Sequence, residues 1–568
     1  MPDHFRRRNH AMHIKPCIAA IITAAVATPA LAAPSTATSR PASHAALAGF
    51  FTEWRAFAVP RGADGRPDYG PAAIAAQAAQ LPAWRARLAA IDTRGWPVAA
   101  LNDKRLIEAE INGLDFNHRI LKPWARDPGF YATIAADESD VPAHEGQYAE
   151  PFIDLYAFKW PLSRTDDARL TTLLAGVPAQ LAEARANLAN SNARDLWLYG
   201  DRAFTEQADM LAALAAGTLK MRTVEGPIAA DMTGASPGLR AANTAARTAT
   251  SDFAAWVAGE APKKTGPSGV GKADYSWHAR NVLLVPHDWD AQAVLLQREL
   301  DRSLAGLRLE EARNRALPPL NPLDDAAAHD ARLAVSQAKF SRFIAETGLA
   351  EGTDWARVAI ASQPMAYVPP ERRNFFDHVT AADPLPLMSH FIHWVELARL
   401  REVKQPSPVR AVPPLFNIYA NRSEGFATAF EELAMQAGLY DDNPRARELV
   451  WIMLANRAAR GLASLRVQSN EIDLATAGQF HASWTPRGWS DPASPLVGFE
   501  QLLYLRQPGY GPSYIIGKLE FDAILADAAQ RADRDNRPFL LADTMARFYA
   551  QGIMPFALIG DGLSAPTP

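Results

Sequence analysis

Helical spacing of apolar side chains most constrains what this chain can fold into. Ile107, Ile111, Leu114 and Leu121 mark one helical face, and Leu295, Leu300, Leu304 and Leu307 mark another. A recurrence of three to four residues buries one side of an α-helix. Alternating, β-branched runs that would make strands are scarce, so the fold class read from the sequence is mainly α. Of the 568 residues, 48% are hydrophobic, enough for a large core. Breaks at Pro60-Arg61-Gly62, at Gly95-Trp96-Pro97, over 259–273 and over 363–373 punctuate the helices. None has the composition of a flexible linker, and no internal repeat is visible. The expectation is one multi-helical body over residues 47–562.

The first 33 residues have the pattern of a signal peptide. Arg6, Arg7, Arg8 and Lys15 precede an apolar core from Cys17 to Thr28, and Ala30-Leu31-Ala32 supplies a cleavage site. Residues 34–46, rich in Ser, Thr and Pro, read as a disordered lead-in. An exported, periplasmic protein is expected, with no membrane insertion. Cys17 is the only cysteine, so the mature chain has no disulfide. A net charge of −4 without a basic stripe excludes a nucleic-acid partner. Gly266 to Lys272 has the spacing of a phosphate-binding loop, but Ala273 follows where a hydroxyl is needed and no strand precedes it. No nucleotide is expected there. The reading is a flexible loop near a site, because Tyr275, Trp277 and His278 follow closely.

The chemistry concentrates between Pro386 and Tyr440, read as two helices. On the first, His390 and His393 lie one turn apart on one face, with Glu396 a turn further on. On the second, Ser423 is placed to cap, Glu424 lies in the first turn, Thr428, Glu431 and Met435 continue its face, and Gly438 marks the end. Two imidazoles and a carboxylate in this arrangement have the layout of a helical zinc hydrolase. The other reading is a pair of core histidines satisfied by hydrogen bonds. A His-Glu-x-x-His run is absent, and the only His-Glu pair, His144-Glu145, is followed by Gly146. Tyr504, Tyr510 and Tyr514 surround a Gly/Pro turn that leads into a helix, and a tyrosine so delivered can donate to a developing oxyanion. Arg457 and Arg460 can clamp a substrate carboxylate, or pair with nearby acids.

Together these segments resemble a bacterial family known as domain of unknown function 885, which is similar to helical zinc carboxypeptidases of the gluzincin type. The resemblance is carried by LKPWARDPGFY (121–131), GVGKADYSWHARNVLLVP (269–286), RELDRSLAGLRLEEARN (298–314), SEGFATAFEELAMQAGLYDD (423–442) and QPGYGPSYIIGKLE (507–520). It implies a deep central cleft, zinc, and a peptide-like substrate. His390 and Glu424 match presumed metal ligands, and Tyr514 matches the tyrosine of the Gly/Pro turn. Pro384 and Leu385 stand where the family has His-Glu, Phe391 replaces a second histidine, and Gln468 replaces a later one. Two functions follow. One is a divergent metal-dependent hydrolase of peptides or small amides. In it His393 or His378 supplies the missing ligand, and Glu396 or Glu431 acts as base beside Tyr514. Arg457, Arg460, Tyr510 and Tyr275 hold the substrate. The other is a metal-free, inactive binding protein.

Overall fold

The helix Ala446–Gln468 runs through the body of the protein, and every residue in it except Arg447 and Arg466 is buried. Apolar side chains occur all round it, so it is stable only with neighbours on every side. The helices Trp289–Arg313, Leu474–Trp484 and Tyr510–Arg534 supply them. In this computed structural model residues 44–62, 65–363 and 365–565 are described, and all of them fall within one compact unit. Two large apolar clusters meet on the central helix. One takes Leu449 to Leu465. The other packs the helices Arg164–Asn187, Arg202–Ala216 and Pro237–Glu260 together and reaches the central helix at Ala463 and Val467.

Strands among the described residues are a short parallel pair, Ile134–Ala135 with Ile153–Asp154, and a hairpin, Lys220–Thr223 with Gly226–Ala229. The mainly α reading therefore holds. No helix among the described residues is long and apolar enough to cross a membrane. The expected signal peptide lies outside the described residues. The lead-in read over 34–46 is too long by three residues. The first helix, His44–Phe57, already starts at His44, whose ring contacts Asp103 at 2.8 Å, with Leu47, Phe50 and Trp54 buried behind it.

Three local readings are corrected. The histidine helix is broken at Phe391 into Pro384–His390 and Ile392–Glu402. Ser423 caps nothing. It lies within a π-helical turn, Asn421–Gly425, that runs straight into the helix Phe426–Gln436, and its hydroxyl is buried without a partner. The 266–272 loop is tied to the end of the central helix rather than to a cavity. Gly271 N–H donates to the Gln468 carbonyl at 2.7 Å, and Lys272 pairs with Glu471 at 2.8 Å. Gly438, at φ +96, does follow the end of its helix.

The helix Tyr510–Arg534 crosses the π-turn at backbone contact. A Cβ on Gly517 would stand 2.1 Å from the Asn421 carbonyl oxygen and 2.8 Å from Gly425 Cα. Backbone on both sides cannot yield, so Gly517→Ala is expected to cost about 3 kcal/mol, the upper end for overpacking. Gly49→Ala, on an exposed helix with open space around it, is expected to add up to about 1 kcal/mol through helix propensity. Urea unfolding of both variants checks the contrast, and equal midpoints would refute the tight crossing.

Candidate functional site

Several helical segments and one strap line a cavity of about 480 Å³. The broken histidine helix brings His390, the π-turn brings Glu424, and the central helix brings Arg457 and Arg460. Gly509, at φ +94, turns the chain into the last of the wall helices and sets Tyr510 and Tyr514 one turn apart. The strap, residues 137–148, is held by the hairpin. Arg222 N–H donates to Asp137 at 2.8 Å, Glu138 N–H donates to the Arg222 carbonyl at 2.9 Å, and Val224 N–H donates to the Glu138 carboxylate at 2.9 Å.

His390, His393 and Glu424 converge, with one candidate ligand atom from each lying within 4.8 Å of the others. Glu424 Oε2 is 3.3 Å from His393 Nε2 and 3.7 Å from His390 Nε2. The helix break does not separate the rings, whose centroids are 4.9 Å apart at 88°. Donors around tetrahedral zinc, each about 2.0–2.2 Å from the ion, stand roughly 3.3–3.6 Å apart, so the group has the right size and chemistry. His393 Nε2 is buried without a hydrogen-bond partner, which also fits a donor for an ion. On its other side His390 Nδ1 lies 3.1 Å from Glu431 Oε1, and Glu431 accepts from Arg457 Nη1 at 2.6 Å. A carboxylate behind a ligating imidazole fixes the ring's orientation. Burial opposes the charge on Glu424, yet the two imidazoles outweigh it and hold its carboxyl well below the usual range. Burial likewise opposes protonation of His393, and the Glu424 carboxylate overcomes it and pushes that imidazole up.

Other predicted residues divide. Tyr514 lines the cavity, stacks on His390 with centroids 6.3 Å apart, and lies under the Arg460 guanidinium at 4.7 Å. Burial pushes its phenol well above the ordinary range, so it is a neutral donor. Arg457 and Arg460 line the cavity, and Arg460 also donates to Glu500. Glu396 lies off the cavity wall, its two oxygens accepting from Arg422 at 2.5 and 2.9 Å. Tyr275 is buried in the core and donates to Gln292 at 2.7 Å. His378 stacks on Trp489. Gln468 donates to the carbonyls of Tyr504 and Leu505, at 3.0 Å each, and so steadies the turn ahead of Tyr510.

Sequence reasoning missed Glu145. Its Oε1 is 2.5 Å from the Tyr510 hydroxyl, which is itself 2.6 Å from Glu424 Oε1. One phenolic proton cannot serve two carboxylates, so one of the acids carries its own proton. Burial, with Asp140 and Glu424 nearby, pushes the Glu145 carboxyl up to about 8, which makes it the protonated partner at neutral pH. The pair His144-Glu145 was the available signal, but its two side chains part company. Both residues line the cavity, but His144 pairs with Asp154 at 2.8 Å, and Glu145 is the one that reaches the Tyr510 hydroxyl.

Residues 48–316 match the family model described as bacterial protein of unknown function (DUF885). That match supports the domain-of-unknown-function family. The matched segment contains Glu145 and Tyr275 but ends before the histidine helices. No curated protein matches. Two solved structures are similar in fold. One is described as "the putative lipoprotein from Colwellia psychrerythraea", with 12% identity, a TM-score of 0.62, and coverage of 92% of this chain and 99% of that one. The other is described as "a putative lipoprotein of unknown function from Shewanella oneidensis", with 13% identity, a TM-score of 0.62, and coverage of 91% and 99%.

A carboxyl raised in the folded protein favours folding fully below its unfolded value of 4.5 and loses that contribution as pH rises through about 8. Glu145→Gln lacks this loss. Its stability relative to the parent is therefore expected to climb between pH 4.5 and 8 and then level off. The gain should be on the order of 1–2 kcal/mol, allowing for solvent on the cavity side. Urea midpoints of both proteins across that range test it, and a constant difference would mean that Glu145 titrates normally.

Proposed function

We propose that this protein is a metal-dependent hydrolase of peptides or other small amides. The observation that carries the reading is the convergence of His390, His393 and Glu424 beside a cavity that His390 and Glu424 also line. Three N/O donors with one side facing a cavity is the pattern of catalytic rather than structural zinc sites. His390, His393 and Glu424 would hold the zinc, which would supply Lewis acidity toward a substrate carbonyl. Tyr514 donates a hydrogen bond to the oxygen on which charge develops. Glu145 holds a proton at its carboxyl and, through Tyr510, is coupled to Glu424. Glu431 positions His390 rather than touching substrate. Arg457 and Arg460 receive a substrate carboxylate. The names of the two fold relatives fit an exported protein, as does the N-terminal sequence pattern.

A second reading has its own observation. The raised His393 beside the lowered Glu424 makes a self-neutralising pair that needs no ion, as a metal-free binding protein would have. Calorimetric titration with zinc separates the two. The hydrolase reading expects about one equivalent bound in the parent, and loss of at least 100-fold in affinity in His390→Ala and in Glu424→Gln. Identical, non-stoichiometric traces for parent and variants would leave the binding protein.

A further inference from the structure

The cavity wall carries charge of both signs from different elements. On the strap, Asp140 is half-buried and makes no hydrogen bond or ion pair with any described residue, and Glu145 lies within its electrostatic reach. The His393 imidazole acts on both carboxyls across space, but no cation among the described residues forms an ion pair with Asp140. On the central helix, Arg457 and Arg460 are at most 2% exposed. Each gives one Nη1 to an acid, Glu431 and Glu500 respectively, while both Nε groups are buried without a partner. Tyr510 links Glu145 to Glu424 on one side of the candidate metal centre, and Tyr514, under the Arg460 guanidinium, stacks on His390. Met365, Phe376 and Leu387 give the wall an apolar surface besides.

We propose that the cavity binds a short zwitterionic peptide with apolar side chains, its free ammonium group against the Asp140 carboxylate and the acceptor oxygen of the neutral Glu145 carboxyl, and its carboxylate against Arg457 and Arg460. An ammonium supplies the cation that the strap lacks, and a carboxylate supplies acceptors for the unused guanidinium N–H groups. The volume of about 480 Å³ suits a molecule of a few residues rather than a polypeptide. The substrate class deepens the hydrolase reading and rests on it for turnover, whereas binding itself does not need the metal.

The test is calorimetry on the chelator-treated full chain with alanyl-leucyl-alanine, its N-acetyl derivative and its C-terminal amide. The free peptide is expected to bind, and each blocked form to bind at least tenfold more weakly. Asp140→Asn should abolish the penalty for N-acetylation and keep the penalty for amidation. Glu145→Ala, which removes the acceptor oxygen, should reduce the first penalty in the same direction, which guards against a folding defect in either variant alone. Equal affinity for free and blocked peptides, or no binding of the free peptide, overturns the proposal, as does an undiminished penalty for N-acetylation in both variants. Discrimination without stoichiometric zinc binding would instead remove the metal reading and leave this one intact.

Discussion

The buried ion pair between Arg457 and Glu431 is the contact on which the cavity depends. It joins the central helix to the helix after the π-turn, and Glu431 passes the constraint on to His390 at 3.1 Å. Two further pairs, Arg422 with Glu396 and Arg460 with Glu500, are buried in the same region. Taking such charges out of water is costly, and their attraction repays that only when the geometry is good. Removing one partner would leave a stranded charge and cost roughly 3–5 kcal/mol. The three pairs therefore specify one arrangement of the helices more than they add to net stability.

Much of the helical body was legible because burial leaves a period in the sequence. The punctuation by Pro and Gly also transferred well, as at Gly438 and in the turn before Tyr510. Caps and breaks transferred less well. The histidine helix reads as continuous because nothing at Phe391 breaks a helix by composition. Its break follows from packing, and so does the π-turn that denies Ser423 a capping role. The central helix reads as partly solvated because Arg457, Arg460 and Glu448 look like surface residues. The partners of the two arginines, Glu431 and Glu500, come from distant segments that no local pattern connects.

The site was legible where it sits on helices and hidden where it sits on the strap. His390, His393, Glu424 and Tyr514 come together because their spacing and the turns that deliver them are regular. Glu145 lies in a stretch without a period, where only the fold decides which side chain faces inward. The expectation of His-Glu-x-x-His pointed away from it, since that motif demands both residues on one helix. Here the two side chains of His144-Glu145 face different surroundings. Tyr275 and Glu396 show the converse error, in which aromatic or acidic character near a motif stands in for access to the cavity.

The π-turn at Asn421–Gly425 has a consequence for how the gene can change. Such a turn winds one residue more than α-helical geometry requires. Deleting Gly425 would let the backbone relax into an ordinary helix, but would rotate Glu424 by about 100° relative to the helix that follows. The carboxylate would then leave both imidazoles and the Tyr510 hydroxyl together. Segment length here is fixed as firmly as residue identity. The mostly exposed connection over 319–322, outside any helix, carries no such register and tolerates a change in length far better. Across descendants of this sequence, insertions and deletions should accumulate in that connection and be purged from the turn.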